Sequence, residues 1–322
     1  MEYNHIRALV QTELNEVNEL ILGRMHSNIP LINELTQHII NSGGKRLRPV
    51  LALLSAKACH YEGHDAVELA ATIEFIHTAT LMHDDVVDAS TMRRGQETAN
   101  AIWGNKASVL VGDFLYSRSF QMMVHLQSLK VMEVLAKATN IISEGEVLQL
   151  MHEHKPETTE ATYMQIIYAK TAALFEVATE LGAVVAKRPE AEIKAMADYG
   201  RHLGIAFQLV DDVLDYRADA AAMGKNPGDD LADGKATLPF IYALQKATPE
   251  QREMLTTTLQ QGQRENFKQV LDVIETTGAI EYTYAVAKQQ ARLAQEALKV
   301  IPASAFQQAM HELVTFSIDR TH

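Results

Sequence analysis

The sequence predicts an all-α protein, a helical bundle whose 322 residues suit one large domain or two ordinary ones. Three observations predict it. Apolar residues recur at helical spacing almost throughout, while alternating β-branched runs are scarce. Only eight prolines occur, and none lies between Pro49 and Pro156. With 47% hydrophobic residues and 22% charged residues of mixed sign, the chain can bury a sizeable core and keep a solvated surface.

In chain order, residues 2–25 and 28–41 read as two amphipathic helices. Gly43-Gly44 breaks the chain, and Pro49 opens a third helix to about residue 60, because proline at the first helical position forfeits no intrahelical bond. Residues 65–88 form a mostly apolar helix without Gly or Pro. Residues 107–127 and 129–151 form the next two. The stretch 108–126 is apolar on most sides, so it needs cover from the core all round or from a partner subunit. Pro156 with Thr158-Thr159 starts a helix to about residue 186, and Pro189 starts one that ends at Asp211–Asp215. Thr248-Pro249-Glu250-Gln251 is a capping box with proline at the first helical position. Two or three helices follow, roughly 264–276, 278–300 and 303–318.

Composition excludes several functions. The formal charge of −12 argues against a general nucleic-acid binder. No apolar run reaches the ~18 residues of a membrane span, and Met1 to His5 lacks the basic and apolar parts of a secretory signal. The single Cys59 excludes an internal disulfide and suits a reducing, cytoplasmic setting.

One stretch concentrates chemistry: Leu81-Met82-His83-Asp84-Asp85-Val86-Val87-Asp88, followed by Arg93-Arg94-Gly95. Asp84, Asp85 and Asp88 fall within about a 100° arc of a helix. Like charges at this spacing repel, and at a helix C-terminus they also oppose the macrodipole. A divalent cation is the simplest offset, and oxygen-only ligands favour magnesium or calcium over zinc. The spacing returns in Asp211-Asp212-Val213-Leu214-Asp215, again ending a core-like helix. One triplet could be a solvated helix face; two are hard to assign to surface. A bundle can bring both helix ends to one mouth.

Cations accompany the carboxylates. Gly43-Gly44-Lys45-Arg46-Leu47-Arg48-Pro49 sets three basic residues at a helix start, where free N–H groups suit an anion. His77 shares the aspartate face two turns before Asp84. Lys170-Thr171 interrupts an apolar helix, and Gly224 to Lys235 reads as a mobile lid. Carboxylates hold magnesium, magnesium bridges to phosphate oxygens, and separate cations hold a second anion; the pattern predicts one or two diphosphate-bearing substrates. No P-loop, Rossmann, Ser-His-Asp, nucleophilic-cysteine or zinc pattern is present, and His152 and His154 are two apart.

The joint order of these motifs, with Phe207-Gln208, Ile73 to Leu81, Glu144 to Leu150 and Gly228 to Lys235, resembles the trans-type polyprenyl diphosphate synthases, over essentially the whole length, and most closely the bacterial octaprenyl subgroup. The resemblance implies a single isoprenoid-synthase domain over residues 1–322, a helical bundle around a deep apolar tunnel, and a magnesium-dependent prenyltransferase. Isopentenyl diphosphate would be added in successive head-to-tail steps to an allylic diphosphate such as farnesyl diphosphate. The product would be all-trans octaprenyl diphosphate for quinone side chains. It further implies a two-fold homodimer in the cytoplasm, with at most peripheral membrane contact for product release.

Roles follow residue by residue. Asp84, Asp88, Asp211 and Asp215 would hold Mg2+ on the allylic diphosphate, with Asp85 and Asp212 completing the catalytic triplets. Arg93, Lys170, Thr171, Gln208 and Lys235 would contact that diphosphate or its surroundings. Lys45, Arg48, His77 and Arg94 would hold isopentenyl diphosphate, and Lys225 matches a lid lysine. Chain length would be set by Ala79 and Thr80, which are small where short-chain relatives carry aromatics, and by a floor at Phe120 and Met123, with Tyr116 beside them. A class I terpene cyclase also uses an aspartate-rich helix and magnesium, but leaves Lys45, Arg48 and Arg94 unexplained; shorter or longer products remain open.

Overall fold

A computed structural model describes residues 3–217 and 228–320. The chain divides into two compact units: Met1–Thr139 with Leu174–Gly200 and Ala297–Leu313, and Asn140–Ala173 with Arg201–Glu296 and Val314–His322.

The first unit opens with α1 (Tyr3–Ala8) and α2 (Gln11–Met25), so the expected first helix breaks at Leu9-Val10. There follow α3 (Pro30–Asn41), α4 (Leu47–Ala58) and α5 (Asp65–Val87). The fourth helix begins two residues before Pro49, which costs nothing, because amides of the first turn have no intrahelical partner. Residues 69–76 of α5 are all buried, Glu74 included, which makes α5 the core helix of this unit. Full burial of a side chain such as Phe75 contributes about 1.5–3 kcal/mol.

After α5 comes a two-stranded antiparallel ribbon, β1 (Met92–Arg93) with β2 (Gln96–Glu97), which periodicity did not reveal. Its turn residues Arg94 and Gly95 have φ of 54° and 76°, the pattern of a tight hairpin. The short α6 (Ala99–Trp103) leads into α7 (Asn105–His125). A Cβ on Gly112 would lie 2.5 Å from the His83 ring, and the Ser108 hydroxyl donates to the Met82 carbonyl at 3.1 Å. Small residues on α7 thus let the aspartate end of α5 lie close against it. Val111, Leu115, Met122 and Met123 of α7 are buried, while Val109, Leu110 (67% exposed), Phe120 and Val124 face outward. This unit covers one apolar face of α7 and leaves the other open.

α8 (Leu129–His152) runs through both units. The expected helix 156–186 starts later, as α9 (Glu160–Ile167), where the Thr159 hydroxyl caps the Thr162 amide at 3.2 Å. It then widens into a π turn at Tyr168–Ala172 before α10 (Ala173–Val185). Such turns cluster at functional positions.

In the second unit, α11 (Glu190–Arg217, begun in the first unit) carries the second triplet. Val213 and Tyr216 pack into one core with Leu231, Phe240, Leu255 and Ile274. Leu209, Val210 and Leu214 pack into another with Tyr163, Ile167 and Ile241. With apolar residues committed on both sides, the end of α11 has little rotational freedom. The short α12 (Asp229–Ala232) and α13 (Leu238–Lys246) precede α14 (Pro249–Gln261), where both halves of the Thr248 capping box are present. α15 (Phe267–Thr276), α16 (Ala279–Ala297) and α17 (Ala305–Asp319) complete the chain. Among the described residues, no helix is long and apolar enough to cross a membrane.

Candidate active site

The first triplet closes α5. The Asp84 carbonyl accepts the Asp88 amide at 2.8 Å, and the Asp85 carbonyl accepts the Ser90 amide at 2.9 Å and the Asn100 side chain at 3.0 Å. Asp84 and Asp88 are half-buried, whereas Asp85 is buried. The ribbon returns Arg93 onto Asp85: Nε and Nη2 each lie 2.7 Å from Oδ1. Asp85 therefore works as the anchor of a guanidinium beside the triplet.

The basic loop before α4 is held from several sides. The Tyr3 hydroxyl donates to the carbonyl of the exposed Lys45 at 2.6 Å. Arg94 donates to the Gly43 carbonyl, and its Nη1 lies 2.5 Å from where a Cβ on Gly44 would stand, at a backbone φ of 153° that side-chain-bearing residues rarely adopt. Arg46, left-handed at φ 51°, pairs with the buried Glu74. Arg48 donates from Nη1 to the His77 Nε2 at 2.9 Å and lies 4.9 Å over the Phe175 ring. Burial pushes the Arg48 guanidinium down to about 10. Burial, then Arg48, Arg94, Arg93 and Arg46, hold His77 well below its ordinary value. The imidazole is thus a neutral acceptor whose proton sits on Nδ1. Expected isopentenyl contacts Lys45, Arg48, His77 and Arg94 do come together in this unit. Sequence reading missed the Arg46–Glu74 pair, although a lone Glu within the apolar run 69–76 was the available signal.

The second triplet is built differently. Asp212 is buried and accepts from Tyr163 Oη on Oδ2 and from Gln208 Nε2 on Oδ1 at 2.7 Å. The Thr171 hydroxyl donates to the Gln208 Oε1 at 2.8 Å, so Thr171, Gln208, Asp212 and Tyr163 form one chain of hydrogen bonds. Burial and the neighbouring Asp230 push Asp212 well above the usual carboxylate range. Lys170, on the π turn, pairs with Glu146 at 2.8 Å. That approach depends on Gly145, whose added Cβ would lie 2.4 Å from the Ala169 Cβ. Asp211 pairs with Arg320 at 3.3 Å, and Asp215 is buried. Tyr163 and Arg320 were not anticipated, and Glu146 entered only as part of the Glu144 to Leu150 stretch, without a role. Tyr163 and Arg320 carry no pattern of their own, being ordinary residues made important by long-range packing.

The described part of the expected lid is fastened. Gly228 donates its amide to the Asp215 carbonyl at 3.2 Å, Leu231 is fully buried, and Asp229 pairs with Arg264. The His154 amide donates to the Gly234 carbonyl at 2.8 Å, while its Nδ1 bonds the Leu259 carbonyl at 2.9 Å. Lys235 is thereby held next to a fixed turn, with its ammonium 2.9 Å from Asp233. Lys225 lies outside the described residues.

Of the chain-length residues, Ala79 is fully buried, and Thr80 donates to the His77 carbonyl at 2.9 Å. Met123 is buried, but Phe120 is 42% exposed and meets the Tyr116 ring edge-on at 5.1 Å. Phe120 thus belongs to the outward face of α7 in this chain.

Among the described residues, no three His, Cys, Asp or Glu side chains converge as a ready-made metal cage. The donors in each unit still suit a hard divalent cation: Asp84 and Asp88 in the first, and Asp211 and Asp215 in the second, offer oxygen alone. Magnesium commonly takes one or two carboxylates and completes its shell with water and substrate phosphate.

Residues 29–275 match the family model described as polyprenyl synthetase. The chain is 48% identical to octaprenyl diphosphate synthase of Haemophilus influenzae over 323 residues, covering 100% of this chain and 98% of that one. It is 49% identical to octaprenyl diphosphate synthase of Escherichia coli over 321 residues, covering 99% of each. Among solved structures, the polyprenyl synthase of Caulobacter crescentus, complexed with calcium and isoprenyl diphosphate, superposes with a TM-score of 0.96 at 42% identity, covering 100% of this chain and 98% of that one.

Proposed function

The chain belongs to the polyprenyl synthetase family, and on that premise we propose that residues 1–322 act as one domain that extends an allylic diphosphate with isopentenyl diphosphate, in trans, to octaprenyl diphosphate. The observation that carries this reading is the near-full-length likeness to octaprenyl diphosphate synthases, joined to two aspartate triplets and a separate basic cluster. The product is a side-chain precursor for a quinone, and the protein acts in the cytoplasm.

Mg2+ is the cofactor in this reading; when bound, it neutralises charge on the diphosphate as pyrophosphate departs. Asp84, Asp88, Asp211 and Asp215 are its ligands. Arg93, anchored by Asp85, and Lys170, Thr171, Gln208 and Lys235 orient the allylic diphosphate. Lys45, Arg48, His77 and Arg94 bind isopentenyl diphosphate, with a neutral His77 keeping Arg48 in line. Fixed cations of this kind stabilise developing negative charge without reorganising during the reaction. As the allylic C–O bond breaks, the isopentenyl double bond attacks C1. The departing pyrophosphate takes the proton released when the new double bond forms. Apolar walls that include Ala79 exclude water from the carbocation. Lys225 would act from the segment outside the described residues.

We also propose a homodimer, because the outward apolar face of α7 needs a partner. A chain sedimenting only at its monomer mass at micromolar concentration would refute it. The function itself is tested with purified protein, farnesyl diphosphate, isopentenyl diphosphate and Mg2+. The expected product is an all-trans C40 diphosphate, and none should form without the metal. A cyclised product from the allylic substrate alone would favour a terpene cyclase instead.

A further inference from the structure

Arg320 has no part in the roles above, yet it is among the most deeply set charges of the second unit. Its side chain is 6% exposed, against 44% for its ion-pair partner Asp211. It is anchored independently of that partner. Nη2 donates to the Phe207 carbonyl at 2.6 Å, and the guanidinium lies 3.8 Å over the Phe207 ring. Phe207 is one helical turn before Asp211, so Arg320 grips the turn that presents the carboxylate. The Nη2–Oδ1 separation of 3.3 Å is looser than the bond to Phe207. The guanidinium thus has anchors besides Asp211, in the Phe207 carbonyl and ring.

A fixed positive charge beside a metal-binding carboxylate has opposite effects on two ligands. It repels a bare divalent cation, and it attracts a metal–diphosphate complex whose net charge is negative.

We infer that Arg320 is a positioning residue that makes the second triplet select metal already joined to diphosphate over metal alone. This rests on the proposed role of Asp211 as a metal ligand. The guanidinium holds Asp211 while the site is empty of metal and releases it to the arriving complex, with no covalent change.

The test measures Mn2+ binding by electron paramagnetic resonance, with no turnover, alone and with inorganic pyrophosphate. Arg320→Gln should bind bare Mn2+ about fivefold more tightly and Mn2+–pyrophosphate about fivefold more weakly than wild type, the scale of a partly screened charge. Arg320→Lys, which keeps the charge, should stay close to wild type in both. Phe207→Leu, which frees the guanidinium but leaves it in place, should show the same two signs at smaller size, and it serves if Arg320→Gln does not fold. Affinities that move together, or that do not move, would overturn the inference, because a purely structural role weakens both. If instead Asp211→Asn binds both probes as wild type does, the metal assignment of Asp211 fails and takes the inference with it.

Discussion

The two aspartate triplets share spacing and a place at a helix end, yet the fold surrounds them with opposite chemistry. In the first, the middle carboxylate, Asp85, is held by a guanidinium from a neighbouring ribbon. In the second, the middle carboxylate, Asp212, is held by a phenol and an amide, and burial draws it toward its protonated form. Among the outer carboxylates, Asp211 pairs with the buried Arg320. Identical motifs thus report which atoms are present and leave their charge state to long-range packing. An account that treats the triplets as interchangeable predicts equal responses to the same change at Asp85 and Asp212; the structure predicts unequal ones.

The largest effect should come from the outer carboxylates, the proposed metal ligands. Asp84→Ala and Asp211→Ala should each lower kcat/KM by a hundredfold or more, the scale of losing one preorganised electrostatic group, with the far-ultraviolet circular dichroism unchanged. Near-normal turnover in one of the two would restrict the metal role to the other triplet.

A change of product comes next. Ala79 is fully buried six residues before Asp85 on the same helix, and its methyl is the smallest side chain that position can carry short of glycine. Ala79→Tyr should shorten the product to about three or four isoprene units, because the ring blocks the apolar path that rewards each methylene by ~0.8 kcal/mol. Chromatography showing the wild-type product would place the path elsewhere.

Adjacent arginines should then separate. Arg93 serves Asp85, and Arg94 serves the Gly43 carbonyl of the basic loop. Arg93→Ala should raise KM for the allylic substrate about tenfold, and Arg94→Ala should do so for isopentenyl diphosphate, each reflecting one charged hydrogen bond. Equal changes in both constants would dissolve the distinction.

The smallest effect is a pH slope. Burial keeps His77 neutral in the folded chain, whereas the unfolded chain takes up a proton near pH 6.5. The unfolded state then binds more protons, so stability falls as pH drops from 6.5 toward the depressed folded value, by up to about 1.4 kcal/mol per unit. Denaturant titrations of His77→Gln should lack that part of the slope. A variant with the wild-type slope would mean that His77 protonates freely in the folded state.

Much of this was legible in the sequence, and what was not has physical causes. The long helices announce themselves by periodicity, and the triplets by spacing, because both are local properties. Thr248 to Gln251 caps a helix as read, for the same reason. The ribbon at residues 92–97 was hidden because two-residue strands have no period and Arg94-Gly95 is an unusual pair for such a turn. The π turn at Tyr168–Ala172 departs from helical spacing by a single residue, which no periodic pattern resolves. Arg320 and Tyr163 act across 109 and 49 positions of sequence, on Asp211 and Asp212 respectively. Only the folded chain brings such partners together. The outward face of α7 is the converse case: its apolar sequence promised burial, and cover within this unit reaches one side alone.

The contrast between the triplets is tested most directly by the same isosteric change in each, Asp85→Asn and Asp212→Asn, assayed side by side for kcat/KM with farnesyl and isopentenyl diphosphates. Asparagine resembles a protonated carboxyl, so Asp212→Asn should stay within about threefold of wild type. Asp85→Asn leaves Arg93 without its counter-charge and should lose about tenfold or more, the cost of unpairing a half-buried ion. A loss in Asp212→Asn that equals or exceeds the loss in Asp85→Asn would contradict the account.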